Sequence, residues 1–394
     1  MEKPEGEAKK TIRVFAASSF LNDMGSDTIS PVWPMFVTEV LKADMAALGF
    51  LDGLGEALVS LSQAGSGYLS DRLKKRKVFI WLGYLCGALS RLGYAASTVW
   101  PHLVPFRILD RLGKIRNPPR DAEVADISSP SNRGRNFGLL RAMDNLGAVC
   151  GILIAILLLN VLGYRLLFAL AAVPSLVGVA LILFFVREAK PDRSKIYRGL
   201  ALKDLDRNFR LFLVLSSLFA LGAFSYSFLL IYARKAGYRT AVIPVLYLVF
   251  TATASLLSLP FGRLSDRLGR KPVLHIAFLF WAAVCVTVMA RPGRLFIPLI
   301  FVFYGIHKAA FDPVQKTLIT ELSPADHRAG SLGGFQMIIG FCALPASLGA
   351  GWLWERLGDV APFVLSFGLT AAAIVLLFFV REGRASTDVT KRAA

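Results

Sequence analysis

Charge is what this chain has little of. Charged residues make up 18% of its 394 positions, whereas a soluble domain carries about 25%, which argues against an ordinary water-soluble globule. Cysteine is also rare. Cys86, Cys150, Cys285 and Cys342 are the full complement, and none has the close CxxC spacing of a redox or zinc site. Each falls in an apolar stretch and reads as a small packing residue. No HExxH, GxSxG, P-loop or paired nucleophile–base motif occurs, so hydrolysis of esters, peptides or ATP lacks its residues and an enzyme is not expected. The opening MEKPEGEAKK is polar, and the first apolar stretch is too long and too polar for the core of a cleavable signal. No cofactor and no resident metal are implied.

Long apolar runs are what the chain has instead. Hydrophobic residues form 55% of it, the mean hydropathy is +0.55, and runs of about 20 apolar residues, enough for a helix to cross a bilayer, recur throughout. Spans are expected near 13–38, 46–69, 77–97, 102–126, 136–160, 165–186, 209–233, 242–265, 273–291, 295–320, 331–354 and 361–380. That is an all-α membrane protein with twelve transmembrane helices. The formal net charge of +18 then has a topological origin. Arg72, Lys74, Lys75, Arg76 and Lys77 follow span 2, and Arg133 and Arg135 follow span 4. Arg187, Lys190, Arg193, Lys195 and Arg198 follow span 6, and Arg267, Arg270 and Lys271 follow span 8. The positive-inside rule makes that side cytoplasmic. A multi-pass protein of the cytoplasmic (inner) membrane is expected, with both termini in the cytoplasm. Residues 189–207 read as a basic cytoplasmic linker near anionic lipid, and nucleic acid is not an expected partner.

The string GYLSDRLKKRK at 67–77 returns as GRLSDRLGRKP at 262–272, an offset of 195 residues from Gly67 to Gly262. The same offset pairs Pro118 with Pro313, Asp126 with Glu321, Arg133 with Arg328 and Gly138 with Gly333. Several pairs at one offset, with no insertion between them, point to a second half copied from the first. Two parallel copies in a membrane offer a mid-depth interface for a solute. Division into six-helix bundles at 1–188 and 208–394 is expected.

The repeated string resembles the signature G-x-L-x-D-R-x-G-R-[RK] of the major facilitator superfamily. Gly262, Leu264, Asp266, Arg267, Gly269, Arg270 and Lys271 match it in full. In the first half Gly67, Leu69, Asp71, Arg72 and Arg76 match, while Lys74 and Lys75 replace the second Gly and its Arg. The stretches SFLNDMGSDTISPVWPMF, RILDRLGKIRNPPRDAEVAD and RAMDNLGAVCG are similar to a prokaryotic branch of presumed exporters. The resemblance implies two pseudo-twofold-related bundles joined by a cytoplasmic latch. Asp71 would face the start of span 11 and Asp266 the start of span 5, each carboxylate meeting a positive helix end. The basic residues Arg72, Arg76, Arg267 and Arg270 would add charge-assisted hydrogen bonds. Drug–proton antiporters of the superfamily usually carry G-x-x-x-G-P-x-x-G-G in span 5. Here only Gly147 and Gly151 remain, followed by Ile152, and GxxxG alone is a packing signal.

An ionised side chain at bilayer centre costs at least ~2.5–3.5 kcal/mol, so it faces a cavity or a partner. Asp23 and Asp27 share a face of span 1, as do Asp52 and Glu56 of span 2. Span 4 carries Arg107, Asp110, Arg111, Lys114, Arg116, Arg120, Asp121 and Glu123, and Pro118 and Pro119 should unwind or kink it. Span 5 adds Arg141 and Asp144, and span 10 adds His307, Lys308, Asp312 and Lys316. The resemblance implies that helices 1, 4, 7 and 10 line a central cavity, where span 7 offers Ser216, Ser217, Tyr226 and Ser227. Spans 3, 6, 9 and 12 are expected to be nearly free of charge at mid-depth. The cavity candidates are Asp52, Arg107, Asp110, Arg111, Lys114, Arg141, Asp144, Tyr226, His307, Lys308 and Asp312. Mutual pairing of the charges on spans 4 and 5 is the competing role for them. Asp23, Asp27 and Glu56 have no adjacent basic residue in their own helix. Carboxylates so placed out of water can load and release a proton, which makes these three the proton-coupling candidates.

A secondary active transporter is the expected function. It would move a small polar solute, anionic or zwitterionic, by alternating access coupled to protons. A proton-driven multidrug exporter is the alternative, followed by a divalent-metal exporter or a lipid flippase. The partners are then a small molecule, protons and the lipid bilayer. A monomer is expected, because one chain holds both halves of the pathway.

Overall fold

A computed structural model describes residues 5–73, 75–129, 132–186, 206–291, 293–323 and 328–381. The expected linker lies outside the described residues except for its last two positions, Asp206 and Arg207. Lys74 and the side chains of Asp71, Arg133 and Arg328 also lie outside them. Every regular element among the described residues is helical. In chain order these are α1 (Glu5–Ile29), α2 (Trp33–Met35), α3 (Met45–Leu73), α4 (Arg76–Ala96), α5 (Leu103–Leu112), α6 (Asn117–Asp126) and α7 (Arg133–Phe185). There follow α8 (Arg207–Gly222), α9 (Ser227–Lys235), α10 (Ile243–Leu268), α11 (Arg270–Met289), α12 (Ile297–Leu322), α13 (Arg328–Leu357) and α14 (Ala361–Phe379).

Among the described residues nine helical segments are long and apolar enough to cross a membrane. One of them, Arg135–Phe185, covers the residues expected for spans 5 and 6. The α7 helix takes non-helical angles inside only at Gly163, with φ of 67° and ψ of 175°. A side chain there would be strained, so glycine marks the bend. Three other expected spans are interrupted. Pro31 and Pro34 follow the end of α1, where a ring without an N–H cannot continue the ladder, and the chain proceeds through α2 and a π-helical turn at Phe36–Val40. The fourth span breaks at a 3-10 turn, Gly113–Arg116. Pro118 and Pro119 come just after it, in the first turn of α6, where proline is tolerated. Residues 223–226 separate α8 from α9.

The chain forms two compact units. Unit 1 contains residues 1–196, 224–248 and 343–359; unit 2 contains 197–223, 249–342 and 360–394. In unit 1, Ile12, Phe15 and Ala16 of α1 pack with Ile80 and Tyr84 of α4, Val124 of α6, and Leu140, Val179 and Ile182 of α7. The GxxxG pair proves to be a packing device. A Cβ on Gly147 would stand 2.3 Å from the Phe20 carbonyl oxygen, and one on Gly151 would stand 2.2 Å from that of Met24. No larger residue allows α7 to lie this close on α1. In unit 2 the buried layer is aromatic: Phe219, Phe278 and Trp281 stack around Tyr304, His307 and Phe311 with neighbouring ring centroids 4.7–6.2 Å apart.

Each unit carries one copy of the repeated motif. In unit 1, Arg76 is buried and bridges Asp126 at 2.5 Å, while Arg72 donates to the Tyr68 hydroxyl at 3.3 Å. In unit 2, Arg270 bridges Asp266 at 2.5 Å and Glu321 at 2.9 Å. Arg267 is exposed.

Candidate functional site

A cavity of about 180 Å³ opens inside unit 1. It exists because one face of α1 is polar at helical spacing: Asn22, Asp23, Ser26 and Asp27 line it, with Ile29 and, just past the helix end, Ser30. The wall opposite comes from the charged face of α5 and the 3-10 turn, with Arg107, Asp110, Arg111, Lys114 and Arg116. Gly87, Arg91 and Tyr94 of α4, Trp33 of α2 and Tyr226 from the break before α9 complete the lining.

Asp52 organises the end of this cavity from behind. It is 3% exposed, and its Oδ1 accepts from the Trp33 indole at 3.0 Å and from Arg107 Nη2 at 2.8 Å. Its Oδ2 accepts from the hydroxyls of Ser225 at 2.7 Å and Ser227 at 2.5 Å. The Arg107 guanidinium also lies 4.6 Å from the centroid of the Trp33 ring. All four donors meet a carboxylate taken out of water, the condition under which a buried ion pair is stable. The pair fixes the interrupted segment at 223–226, and Tyr226 beside it donates to the Ser30 carbonyl at 3.3 Å. Arg111 is shared between Asp110 at 3.4 Å and Glu56 at 3.6 Å. Glu56 therefore has a cationic partner from another helix, and its side chain is 58% exposed.

The cations of the lining differ in what satisfies them. Arg91 is 2% exposed and donates only to neutral oxygens. These are the Ala171 carbonyl (2.9 Å), the Ser175 hydroxyl, the carbonyl and side-chain oxygens of Asn22 (3.1 and 3.2 Å) and the Ser26 hydroxyl (2.8 Å). Arg116 donates to the Gly113 carbonyl at 2.9 Å and lies over the Tyr84 ring at 4.9 Å. Lys114 has no hydrogen-bond or ion-pair partner among the described residues. On the α1 wall, Asp23 accepts from the Asn22 amide at 3.0 Å and Asp27 from the Tyr247 hydroxyl at 3.4 Å. Neither carboxylate has a cation at ion-pair distance among the described residues.

The structure thus brings Asp23, Asp27, Arg107, Asp110, Arg111, Lys114 and Tyr226 to one cavity, with Asp52 and Glu56 bonded to its arginines. Arg141 and Asp144 belong to a separate cluster. Asp144 accepts from Ser19 and lies 3.8 Å from Arg141 and 3.9 Å from Arg120, which is also paired with Asp121 at 3.0 Å. In unit 2, Lys308 and Asp312 form an i,i+4 pair at 2.8 Å. His307 is 3% exposed, and its Nδ1 is 2.8 Å from the Ala277 carbonyl oxygen, which makes the hydrogen-bearing Nδ1 the donor. The expectation that the third span carries almost no mid-depth charge is corrected by Arg91. A guanidinium can sit there because α1 and α7 supply it with five neutral oxygen acceptors. Sequence reasoning passed over it, although a lone Arg in the apolar run VFIWLGYLCGALSRLGYAA was itself a signal.

The comparisons with known proteins agree with this membrane architecture. The family profile described as Major Facilitator Superfamily matches residues 15–254 and 211–394. An uncharacterized MFS-type transporter of Methanocaldococcus jannaschii is 34% identical over 383 residues, covering 95% of this chain and 96% of that protein. Multidrug resistance protein MdtH of Aeromonas hydrophila subsp. hydrophila is 27% identical over 377 residues, covering 86% of this chain and 91% of its own length. Among solved structures, a mutant of the nucleoside transporter NupG aligns with a TM-score of 0.79 at 14% identity, covering 94% of this chain and 100% of that one. At that identity the likeness concerns the fold alone. A helical multi-pass chain with the repeated loop motif, a charged cavity and a profile match over nearly its whole length belongs to the Major Facilitator Superfamily of membrane transporters.

Proposed function

We propose that this transporter moves a small polar solute, anionic or zwitterionic, across the cytoplasmic membrane by alternating access coupled to protons. The observation that carries the reading is the cavity of unit 1, lined by two carboxylates and a lysine, none of which has a partner of opposite charge at ion-pair distance among the described residues. Charge placed at such cost inside an apolar protein has a use in binding or proton transfer. Asp23 or Asp27 carries the coupling proton. Glu56, which is half-exposed and shared with Arg111, ranks after them. The working architecture is twelve spans in two six-helix bundles, residues 1–188 and 208–394, with both termini cytoplasmic and one chain as the functional unit. Asp71 and Asp266 act as the cytoplasmic latch between alternating states.

A second reading, a proton-driven multidrug exporter, is favoured by the MdtH relatives. The two readings part on solute chemistry, because sites for bulky drugs are mostly apolar and span about 300–1,000 Å³, larger than this cavity. The test is solute-driven proton movement in proteoliposomes with Asp23→Asn and Asp27→Asn variants. Loss of proton movement in at least one variant, with solute exchange persisting at saturating solute, is the expected result. Full coupling in both would end the assignment.

A further inference from the structure

The cavity supports a narrower statement about its solute, one that rests on the transporter reading above. Its charged groups fall into two sets. Arg107 is neutralised by Asp52 and Arg111 by Asp110 and Glu56, while Arg91 is held by neutral oxygens and Arg116 by the Gly113 carbonyl and the Tyr84 ring. These groups build the wall. Three charged groups have no ion pair with a residue of opposite charge and face the same space across it: Asp23 and Asp27 on α1, which feel the charge of Lys114 without reaching ion-pair distance, and Lys114 on the 3-10 turn.

We infer that the solute is a small zwitterion of the amino-acid type, its ammonium held by Asp23 and Asp27 and its carboxylate by Lys114. A ligand ammonium brings three donors and no acceptor, which suits two acidic acceptors one helical turn apart, and the hydroxyls of Ser26 and Ser30 stand on the same stripe. A ligand carboxylate gives the Lys114 ammonium the charge-assisted partner that the protein withholds. A simple anion would satisfy Lys114 but meet two like charges on α1. A simple amine would satisfy α1 but leave Lys114 unneutralised, with Arg91 and Arg116 adding positive potential on the same side. Only a molecule with both charges relieves both walls. The volume of about 180 Å³ admits a molecule of a few carbons. With both aspartates ionised, Asp23, Asp27, Asp52, Glu56 and Asp110 balance Arg91, Arg107, Arg111, Lys114 and Arg116, and a zwitterion, which has no net charge, leaves that balance unchanged.

The experiment compares probes on the purified full chain in which each acid lacks only the amino group of its zwitterion and each amine only the carboxylate. Glycine, β-alanine and γ-aminobutyrate are set against acetate, propionate and butyrate, and against methylamine, ethylamine and propylamine. The readouts are the thermal unfolding midpoint in detergent and competition for solute entry into proteoliposomes. At least one zwitterion is expected to raise the midpoint while its matched acid and amine do not. Lys114→Met and Asp27→Asn should each weaken that zwitterion tenfold or more. Lys114→Arg should recover most of the loss, and Arg263→Gln, an exposed position elsewhere, should leave it unchanged. If Lys114→Met does not fold, the contrast between Lys114→Arg and Lys114→Gln carries the test. An acid or amine that matches its zwitterion overturns the inference, and so does a series in which no zwitterion binds. Entry of a nucleoside, an organic anion or a lipophilic cation without any zwitterion would sink this inference and leave the transporter reading standing. Failure of every solute class to cross would sink the reading itself.

Discussion

In unit 1 the space bounded by α1, α4 and α5 is polar, and it holds Asp23, Asp27, Arg91, Arg107, Asp110, Arg111 and Lys114 around a cavity. In unit 2 the space bounded by α8, α11 and α12 is filled by rings, with His307 as the one imidazole among the side chains named there. The contrast follows the sequence repeat. Counting 195 positions on from Arg91, Arg107, Arg111 and Lys114 arrives at Val286, Val302, Ile306 and Ala309. The loop motif, by comparison, was kept: Asp126 and Glu321 stand at the same offset, and each is bridged by an arginine from the motif of its own unit. The motif that fixes the ends of helices is kept in both units, while the interiors differ in polarity. A repeat therefore tells where helices run without telling which copy does the chemistry.

The comparison can be broken by removing charges from each unit in turn. Asp52→Ala would strand the Arg107 guanidinium and three further donors, so the unfolding free energy should fall by about 3–5 kcal/mol. The corresponding cut in unit 2, Asp312→Ala, removes one partner of a half-exposed i,i+4 pair and should cost less than about 1 kcal/mol. Equal losses in detergent unfolding experiments would dissolve the distinction between the two interiors. Arg91→Met should come next, at about 2–3 kcal/mol, since buried oxygens of Asn22 and Ser26 lose their donor. Arg91→Lys should restore only part of this, because an ammonium cannot span acceptors on two helices as a planar fork does.

His307→Phe sharpens the contrast from the other side. The ring fits the aromatic cluster and forfeits one hydrogen bond to Ala277, so a loss of about 1 kcal/mol is expected. The pH dependence of solute flux should not change, and a shifted profile would give His307 a part in proton transfer. The smallest effect belongs to Arg270→Gln. Its partners Asp266 and Glu321 are 67% and 36% exposed, and exposed ion pairs contribute about 0–1 kcal/mol. Its consequence should appear in flux rather than in unfolding, as expected of a latch that forms in one state and opens in another.

Much of the helical layout could be read directly from residues. The break in the fourth span was announced by Pro118 and Pro119, since proline lacks the donor a helix needs, whereas the interruption after α1, beside Pro31 and Pro34, falls inside the single span expected at 13–38. The breaks themselves were harder to place. The expected span at 209–233 runs through residues 223–226, which have no proline and an ordinary composition. They are held open by Asp52, some 170 positions earlier in the chain. The charged candidates were visible as a set, but their division was not. Nothing along the chain says that Asp52 is consumed by Trp33, Arg107, Ser225 and Ser227 while Asp27, of the same residue type, has no cation at ion-pair distance among the described residues.

The sequence by itself determined a bilayer-spanning helical protein, its internal repeat and its family, because apolar run length, basic loops and motif spacing are local properties that survive without coordinates. Only the tertiary structure decided which charges cancel and which remain. Ion pairing depends on separations of a few ångströms between residues far apart in the chain, and no pattern along one helix records that distance.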